Sequence, residues 1–186
     1  LDKQSIATII TKLVKSSRVK VGSVVTALPS ADVFTTVVKM PPMSASELER
    51  AVGYQVEQNI PLKIDDVRVS WQTIRVNKET NESAVMIIAA PKAKVDKYLE
   101  IFSLANLDVI AMETSSIAVA RSLVASSDPL VLVLDIGGLH TDISIVENGI
   151  VSLTRSLPVG GVVFTRAISQ QLGLDLAQAE QFKIKF

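Results

Sequence analysis

The sequence predicts an α/β fold, because two hydrophobic patterns alternate along its 186 residues. Apolar residues at helical spacing, such as Ile6, Ile10 and Leu13 in residues 2–17, mark helices. β-branched runs that end at prolines or polar turns, such as residues 33–40, mark strands. Hydrophobic residues make up 48% of the chain and charged residues 20%, which supports a folded core and excludes disorder.

The other elements follow in order from the same patterns. Further strands are predicted at 21–27, 67–76, 84–90, 107–111, 130–136, 141–146 and 150–157. Further helices are predicted from Ser44 to Asn59, over 92–105 and 113–125, after Gly160-Gly161, and from Asp175 onward.

Local signals support several of these boundaries. Ser44 with Glu47 predicts a capping box, and Gly173 predicts the end of a helix. Asn148-Gly149 predicts a tight hairpin turn between two strands. The run 130–136 is apolar apart from one Asp, which predicts a strand covered on both faces. A domain boundary is predicted near residue 128.

Composition excludes several classes of function. Nineteen basic and nineteen acidic residues give zero net charge, so no electrostatic feature favours nucleic acid or anionic lipid. The absence of cysteine excludes disulfide scaffolds, thiol catalysis and cysteine-based zinc sites. A single histidine, His140, excludes a His-rich metal site, and we interpret it as a turn residue. No apolar run has the roughly 18 residues of a membrane span. Lys92, Lys94 and Lys97 are expected to form a solvated helix face.

Residues 134–142 carry the most informative pattern, Leu-Asp-Ile-Gly-Gly-Leu-His-Thr-Asp. A strand brings Asp135 to its end, and Gly137 and Gly138 then turn the chain into a second strand. Such a turn can present backbone N–H groups to phosphate, and Thr141 could add a hydroxyl donor. Asp135 could hold a hydrated Mg²⁺. At this stage a hairpin with a glycine-rich turn and a solvated Asp is an equal alternative.

The wider order of motifs resembles the actin-like ATPase superfamily, which includes actin, Hsp70-type chaperones and the cell-division protein FtsA. That order is Asp-x-Gly-Gly, an Asn-Gly hairpin, Pro158 to Gly161, a helix, and then Glu180 with Lys183. It is most similar to the PilM family, the cytoplasmic actin-like proteins of type IV pilus machines. Three upstream segments are similar to that family's inserted subdomain: Lys39 to Ser44, Gln58 to Leu62 and Ile88 to Lys92.

The resemblance implies an actin-like (ribonuclease H-like) ATPase core with an inserted small α/β subdomain of SHS2 type, in a fragment of a longer chain. Residues 1–31 and 93–128 would belong to the first lobe, and residues 32–92 would be the inserted subdomain. Residues 129–186 would begin the second lobe.

The resemblance also implies ATP and Mg²⁺ as cofactors. Asp135 would contact Mg²⁺ through water. Gly160 and Gly161 would lie at a helix N-terminus whose free N–H groups favour anions. Glu180 and Lys183 would approach ribose and adenine, and the alternative is an ordinary i, i+3 salt bridge. The ATP-binding residues so implied are Gly137, Gly138, Thr141, Gly160, Gly161, Glu180 and Lys183. Leu139 stands where actin, Hsp70-type chaperones and FtsA usually have a further glycine. A leucine there would restrict the backbone conformations of the turn.

The implied function is an ATP-binding scaffold of type IV pilus or related secretion assembly, at most a slow ATPase, with no catalytic residue assigned. It would dock the N-terminal cytoplasmic tail of a PilN-like inner-membrane protein in a groove walled by residues 21–43 and 67–90. The protein would be cytoplasmic and would reach the inner membrane only indirectly, through this partner. The alternative is a cell-division filament protein like FtsA. A sugar or acetate kinase of the same superfamily is less favoured, because the sequence shows no convincing catalytic base for a substrate. Self-association is left open.

Overall fold

The computed structural model describes residues 2–20 and 22–186, in two compact units of residues 1–119 and 120–186. The helices are α1 (Lys3–Ser16), α2 (Ala45–Asn59), α3 (Lys92–Leu104), α4 (Ser115–Leu123), α5 (Gly161–Leu172) and α6 (Leu176–Lys185). The strands are β1 (Ser23–Leu28), β2 (Phe34–Met40), β3 (Val67–Asn77), β4 (Glu82–Pro91), β5 (Asp108–Thr114), β6 (Val131–Ile136), β7 (Thr141–Glu147) and β8 (Ile150–Leu157).

These elements confirm each predicted helix and strand to within a few residues. Val21, where the first strand was predicted to begin, lies outside the described residues. The division between the two units falls inside α4. Within the described ranges, no helix has both the length and the apolar character that a membrane crossing needs.

The first unit contains two separate sheets. β1 and β5 pair in parallel, whereas β2, β4 and β3 form an antiparallel sheet with β4 at its centre. α2 packs on this second sheet, where Val52 and Val56 share a buried core with Val85 and Ile87. Trp71 of β3 packs against the same core. The three strands and α2 therefore form a small α/β module.

A second core joins α1 and α3 to the end of the α3–β5 connection. Its buried members are Ala7, Ile101, Ala105 and Leu107. Asn106, between Ala105 and Leu107, adopts a left-handed backbone with φ 57°, which lets the chain leave α3 and enter β5. The first turn of α3 lies beside the small module because α3 begins directly after β4.

Polar side chains in the first turns of α3 hold three separate parts of that module, and we call these contacts the α3 clamp. They are Lys92 Nζ to the Asp65 carbonyl oxygen (2.6 Å), Lys94 Nζ to Asp32 Oδ1 (2.9 Å) and Arg68 Nη2 to Asp96 Oδ1 (3.1 Å). The hydrogen bond to Asp32 raises the pKa of Lys94. Lys92, Lys94 and Lys97 are all exposed, which confirms the predicted solvated face, and Lys92 and Lys94 also reach back to preceding segments.

The second unit contains the antiparallel sheet β6–β7–β8, followed by α5 and α6. Asn148 and Gly149 turn β7 into β8 with φ values of 51° and 78°, which confirms the predicted tight hairpin. Gly173 ends α5 with φ 66°. Asp175 and Gln178 then form the capping box that opens α6.

Strand β6 is not covered on both faces, so that prediction is wrong. Leu132, Leu134 and Ile136 are 61%, 56% and 60% exposed, whereas Val131 and Val133 on the alternate face are half-buried. The residues on both faces of β6 are apolar, so composition alone does not show that the face of Leu132 and Leu134 is left exposed by the described chain.

The capping box of α2 gives a pH-dependent prediction. The Ser44 hydroxyl and then its N–H donate to Glu47 Oε2, at 2.6 Å and 2.9 Å, and hold the pKa of Glu47 below its ordinary value. A lowered folded-state pKa stabilises the fold above the unfolded-state value, and this stabilisation is lost as the pH falls through the folded-state pKa. We expect Glu47→Ala to lower the melting temperature at pH 7, and the difference from wild type to shrink towards pH 3.

The control is Glu49→Ala, which removes an exposed carboxylate from the same helix. Its melting temperature should follow that of the wild type across this pH range. A Glu47→Ala difference that stays constant with pH would contradict the prediction.

Candidate functional site

The turn between β6 and β7 presents a row of backbone donors. Gly137 N–H donates to the His140 carbonyl oxygen at 2.9 Å and closes a two-residue loop of Gly138 and Leu139. The N–H groups of Gly138, Leu139 and His140 donate to no acceptor among residues 2–20 and 22–186, and all three residues are exposed. Leu139 has no positive φ, so leucine enters the turn without backbone strain. The turn can therefore offer up to three donors to an anion.

The second glycine pair packs directly on this turn. Gly160 is buried, and a Cβ atom there would lie 2.6 Å from the Gly137 carbonyl oxygen and 2.7 Å from that of Gly138. Real Cβ atoms do not approach backbone this closely, so the contact requires glycine at position 160. Gly161 N–H donates to Gly137 O at 2.9 Å, and Val162 N–H donates to Gly138 O at 3.0 Å.

These contacts correct one expectation from the sequence. The first N–H groups of α5 were predicted to be free for phosphate, but Gly161 and Val162 donate to the turn and Val163 donates to the Gly160 carbonyl oxygen. The helix start supports the turn from behind, and the open donors lie on the turn itself. The cause is the lack of side chains at both glycine pairs, which lets the two backbones bond directly.

Thr141 has a similar supporting position. Its hydroxyl donates to the Val159 carbonyl oxygen at 2.7 Å, which links the start of β7 to the segment before α5. A hydroxyl has one proton, so this bond uses the donor that the sequence offered to a phosphate.

Asp135 lies in β6, one residue before the strand ends, and is exposed. Its cross-strand partner is Asp142 on β7, so both side chains project from the same face of the sheet. Directly opposed residues have Cβ atoms about 4.5–5.5 Å apart, at which two carboxylates repel each other and attract a cation. Mg²⁺ commonly binds one or two carboxylates and completes its shell with water and phosphate. The pair fits a hydrated Mg²⁺ ion.

Asp142 was not assigned to the site from the sequence. A two-residue loop at Gly138 and Leu139 places Asp135 opposite Asp142, so the hairpin register could have identified it. In the part of the chain that the structure describes, no group of three acidic or histidine side chains gathers as a complete metal shell.

A polar network lies behind the start of α5. Lys183 Nζ donates to the Gly161 carbonyl oxygen at 3.2 Å, to Thr165 Oγ1 at 2.9 Å and to Glu180 Oε2 at 2.7 Å. Thr165, which is 6% exposed, also bonds Glu180 Oε2. Lys183 and then Thr165 hold the pKa of Glu180 below its ordinary value. Glu180 and Lys183 therefore form the i, i+3 salt bridge that was the alternative, their contact with ribose and adenine stays a prediction, and Thr165 joins the network without having been identified from the sequence.

The first unit contains a separate apolar groove. Its volume is about 310 Å³. Strand residues Val69 and Ile88 of the small module line it, together with Leu28, Val95 and Met112. Arg68, Glu113 and Thr114 add polar groups to the lining, and Arg68 is also part of the α3 clamp.

By its match to a solved PilM–PilN complex, the chain is an actin-like α/β protein, which confirms the predicted fold class. More specifically, the chain belongs to the family described as type IV pilus assembly protein PilM, whose family model matches residues 1–186.

Three other proteins are similar to this chain in sequence or in fold. A PilM–PilN type IV pilus biogenesis complex contains a chain 27% identical at a TM-score of 0.82, covering 97% of this chain and 55% of that one. The cytoplasmic domain of EpsL, an inner-membrane component of the Vibrio cholerae type II secretion system, shares the fold at 15% identity and a TM-score of 0.59, covering 91% and 61%. Cell division protein FtsA of Neisseria meningitidis serogroup B is 41% identical over 56 residues, 30% of this chain and 14% of FtsA. The chain therefore spans about half the length of the PilM chain that it resembles.

The glycine contact gives the sharpest test of this site. Gly160→Ala forces a methyl group onto the turn backbone, and overpacking of this kind costs about 1–3 kcal/mol. We expect urea unfolding to show that loss. The matched control is Gly138→Ala, because a Cβ atom there meets nothing within 4 Å and should change the free energy of unfolding by less than about 0.5 kcal/mol. Equal losses in the two variants would contradict the proposed packing role of Gly160.

Proposed function

We propose that this chain is the ATP-binding and partner-binding core of a cytoplasmic scaffold for type IV pilus assembly, peripheral to the inner membrane through its partner. The observation that carries the nucleotide part is the backbone contact between the two glycine pairs. It fixes the turn between β6 and β7, whose N–H groups at Gly138, Leu139 and His140 donate to no acceptor in the described chain. Asp135 and Asp142 face each other on the two strands that this turn joins.

Each residue then has a distinct role in the proposed site. The three turn N–H groups hold the phosphates, and Asp135 holds Mg²⁺ through water, with Asp142 beside it. Bound Mg²⁺ would neutralise phosphate charge next to these carboxylates. Gly160, Gly161 and Thr141 support the turn from behind, a role that replaces the direct phosphate contact first expected of them. In this function the chain binds nucleotide, and no residue is assigned to catalysis.

The Mg²⁺ role of Asp135 gives a direct prediction. Asp135→Asn removes the charge but keeps the size of an exposed side chain, so the free energy of unfolding should change by less than about 0.5 kcal/mol. Affinity for Mg-ATP should fall by roughly tenfold or more, since hydrogen bonds to charged groups are worth about 1.5–3 kcal/mol. Titration calorimetry with Mg-ATP, and with ATP in EDTA as the control, measures the affinities, and urea unfolding measures the stability.

The EDTA arm separates the metal from the phosphate. In EDTA the affinities of wild type and Asp135→Asn should converge, or the variant should bind slightly better because a negative charge is gone. A loss of affinity that is the same with and without Mg²⁺, or that matches a loss of stability, would argue for a structural aspartate.

The apolar groove of the first unit supports the partner part of the proposal. It takes lining residues from both predicted wall segments, including Leu28 and Val33 from residues 21–43 and Val69 and Ile88 from residues 67–90. An apolar groove of this size suits a short peptide that inserts alternate or helically spaced apolar side chains. We propose the N-terminal cytoplasmic tail of a PilN-like inner-membrane protein as the occupant, and residues 32–92 as the inserted subdomain that forms one wall.

A pair of matched variants tests the groove. Ile88→Thr keeps β-branching but puts a hydroxyl on the groove wall, and we expect affinity for the PilN-like tail peptide to fall several-fold because apolar contact area is lost. The control is Val76→Thr, on a strand of the same sheet but exposed and outside the groove lining. Fluorescence anisotropy with the labelled peptide should show no change for the control. Unchanged affinity in both variants would place the peptide elsewhere.

The local similarity to FtsA keeps a division role as a second candidate. Deletion of the gene in its own organism distinguishes the two. Loss of surface pili with normal septation supports the pilus scaffold, whereas filamentous cells that keep their pili would support an FtsA-like role.

A further inference from the structure

The basic residues of this chain are unevenly distributed, although its net charge is zero. From residue 3 to residue 31 the sequence has basic residues and no acidic one; they are Lys3, Lys12, Lys15, Arg18 and Lys20. Lys3 forms an ion pair with Glu100 of α3. The other four lie in the C-terminal half of α1 and in the segment directly after it, and we call them the α1 basic patch.

The charges of the α1 basic patch are not neutralised within the chain. All four residues are exposed, and none of them has a carboxylate partner among residues 2–20 and 22–186. Other lysines do find such a partner, since Lys39 pairs with Glu82 and Lys94 pairs with Asp32. The patch is therefore a local excess of positive charge on a neutral protein.

Local structure accounts for only part of the patch. Lys15 lies in the last turn of α1, where a cation interacts favourably with the helix dipole. Arg18 and Lys20 follow the end of the helix, and a φ of 56° at Arg18 turns the chain there. In the described chain no hydrogen bond or ion pair uses these two charged groups. They are available to an anionic surface outside the chain.

Apolar side chains lie between these cations. Leu13 is 65% exposed and Val19 is 52% exposed. A surface that combines lysine or arginine with exposed aliphatic side chains suits the boundary between the headgroups and acyl chains of an anionic bilayer. A nucleic acid backbone would contact the cations and leave the aliphatic side chains in water. The composition of the patch therefore favours lipid.

We propose that the α1 basic patch makes a second, weak contact with the anionic surface of the inner membrane. The inference rests on the proposed function for one point, the location of the protein beside that membrane. A tail held in the apolar groove would tether the patch near lipid, so that a weak contact becomes effectively intramolecular. β1 runs from the patch to Leu28 of the groove lining, a strand length of about 20 Å. The patch adds a direct contact to the indirect route through the partner.

Vesicle sedimentation at low salt tests this contact without nucleotide or partner peptide. Vesicles of phosphatidylcholine with phosphatidylglycerol should bind the chain, and vesicles of phosphatidylcholine alone should not. Lys12→Gln, Lys15→Gln and Lys20→Gln combined should lower the partition coefficient by about tenfold or more, because each cation near an anionic membrane contributes roughly fivefold. Binding of wild type should weaken as salt is raised, since ions screen exposed charges.

The matched control combines Lys63→Gln, Lys78→Gln and Lys97→Gln, which are exposed lysines elsewhere in the same unit. It removes the same net charge from the protein, but its vesicle binding should stay close to that of wild type because the patch is intact. Both triple variants should keep the wild-type melting temperature to within a few degrees, since substitutions at exposed positions change stability little.

Each possible outcome decides the claim. Equal losses of vesicle binding in the two triple variants would overturn the patch and leave only an effect of net charge. Absence of wild-type binding to the phosphatidylglycerol vesicles would show that the patch is an ordinary solvated surface. Tighter binding to a DNA duplex than to the vesicles would overturn the lipid assignment. These measurements use neither ATP nor the tail peptide, so the proposed function stands or fails separately.

Discussion

The second unit depends on a backbone-to-backbone contact between two glycine pairs. Gly160 fits against the carbonyls of Gly137 and Gly138 because it has no side chain, and the first N–H groups of α5 then bond those same carbonyls. This orientation turns the carbonyl oxygens towards the helix and leaves the following N–H groups facing out. An isolated hairpin turn can adopt several peptide orientations, whereas the two hydrogen bonds from the start of α5 hold the peptide groups of this turn in one orientation. The proposed anion site at the turn therefore depends on a backbone contact that does not itself face the ligand.

The first unit uses charged side chains for a comparable task. The α3 clamp joins one helix start to three segments of the small module, and Arg68 both belongs to it and lines the groove. Asp32 is half-buried and the other side chains are exposed, so each contact stabilises the fold very little in water. Together they constrain how α3 meets the module, and the groove wall that includes Val95 of α3 depends on that orientation.

Secondary structure could be predicted from the sequence because each element carries a local signal: the capping pair at Ser44, the hairpin at Asn148, the helix end at Gly173. The site could be predicted only in part. Which oxygen of Glu180 accepts from Thr165, and which partner takes the N–H of Gly161, depend on contacts between residues that are 15 to 24 positions apart. Local pattern contains no information about such contacts. The apolar run of β6 shows the same limit, because composition records hydrophobicity and not what lies opposite.

The exposed face of β6 has a practical consequence for experiments in solution. β6 is an edge strand of its three-stranded sheet, and it carries a row of leucine and isoleucine side chains that are more than half exposed. An edge strand of this kind is a template for pairing with another copy and for aggregation. The isolated chain can therefore associate in a concentration-dependent way through this strand and its exposed apolar face without forming a biological filament. Evidence for a biological filament would need polymer contacts that survive substitution of Leu132 and Leu134 by polar residues.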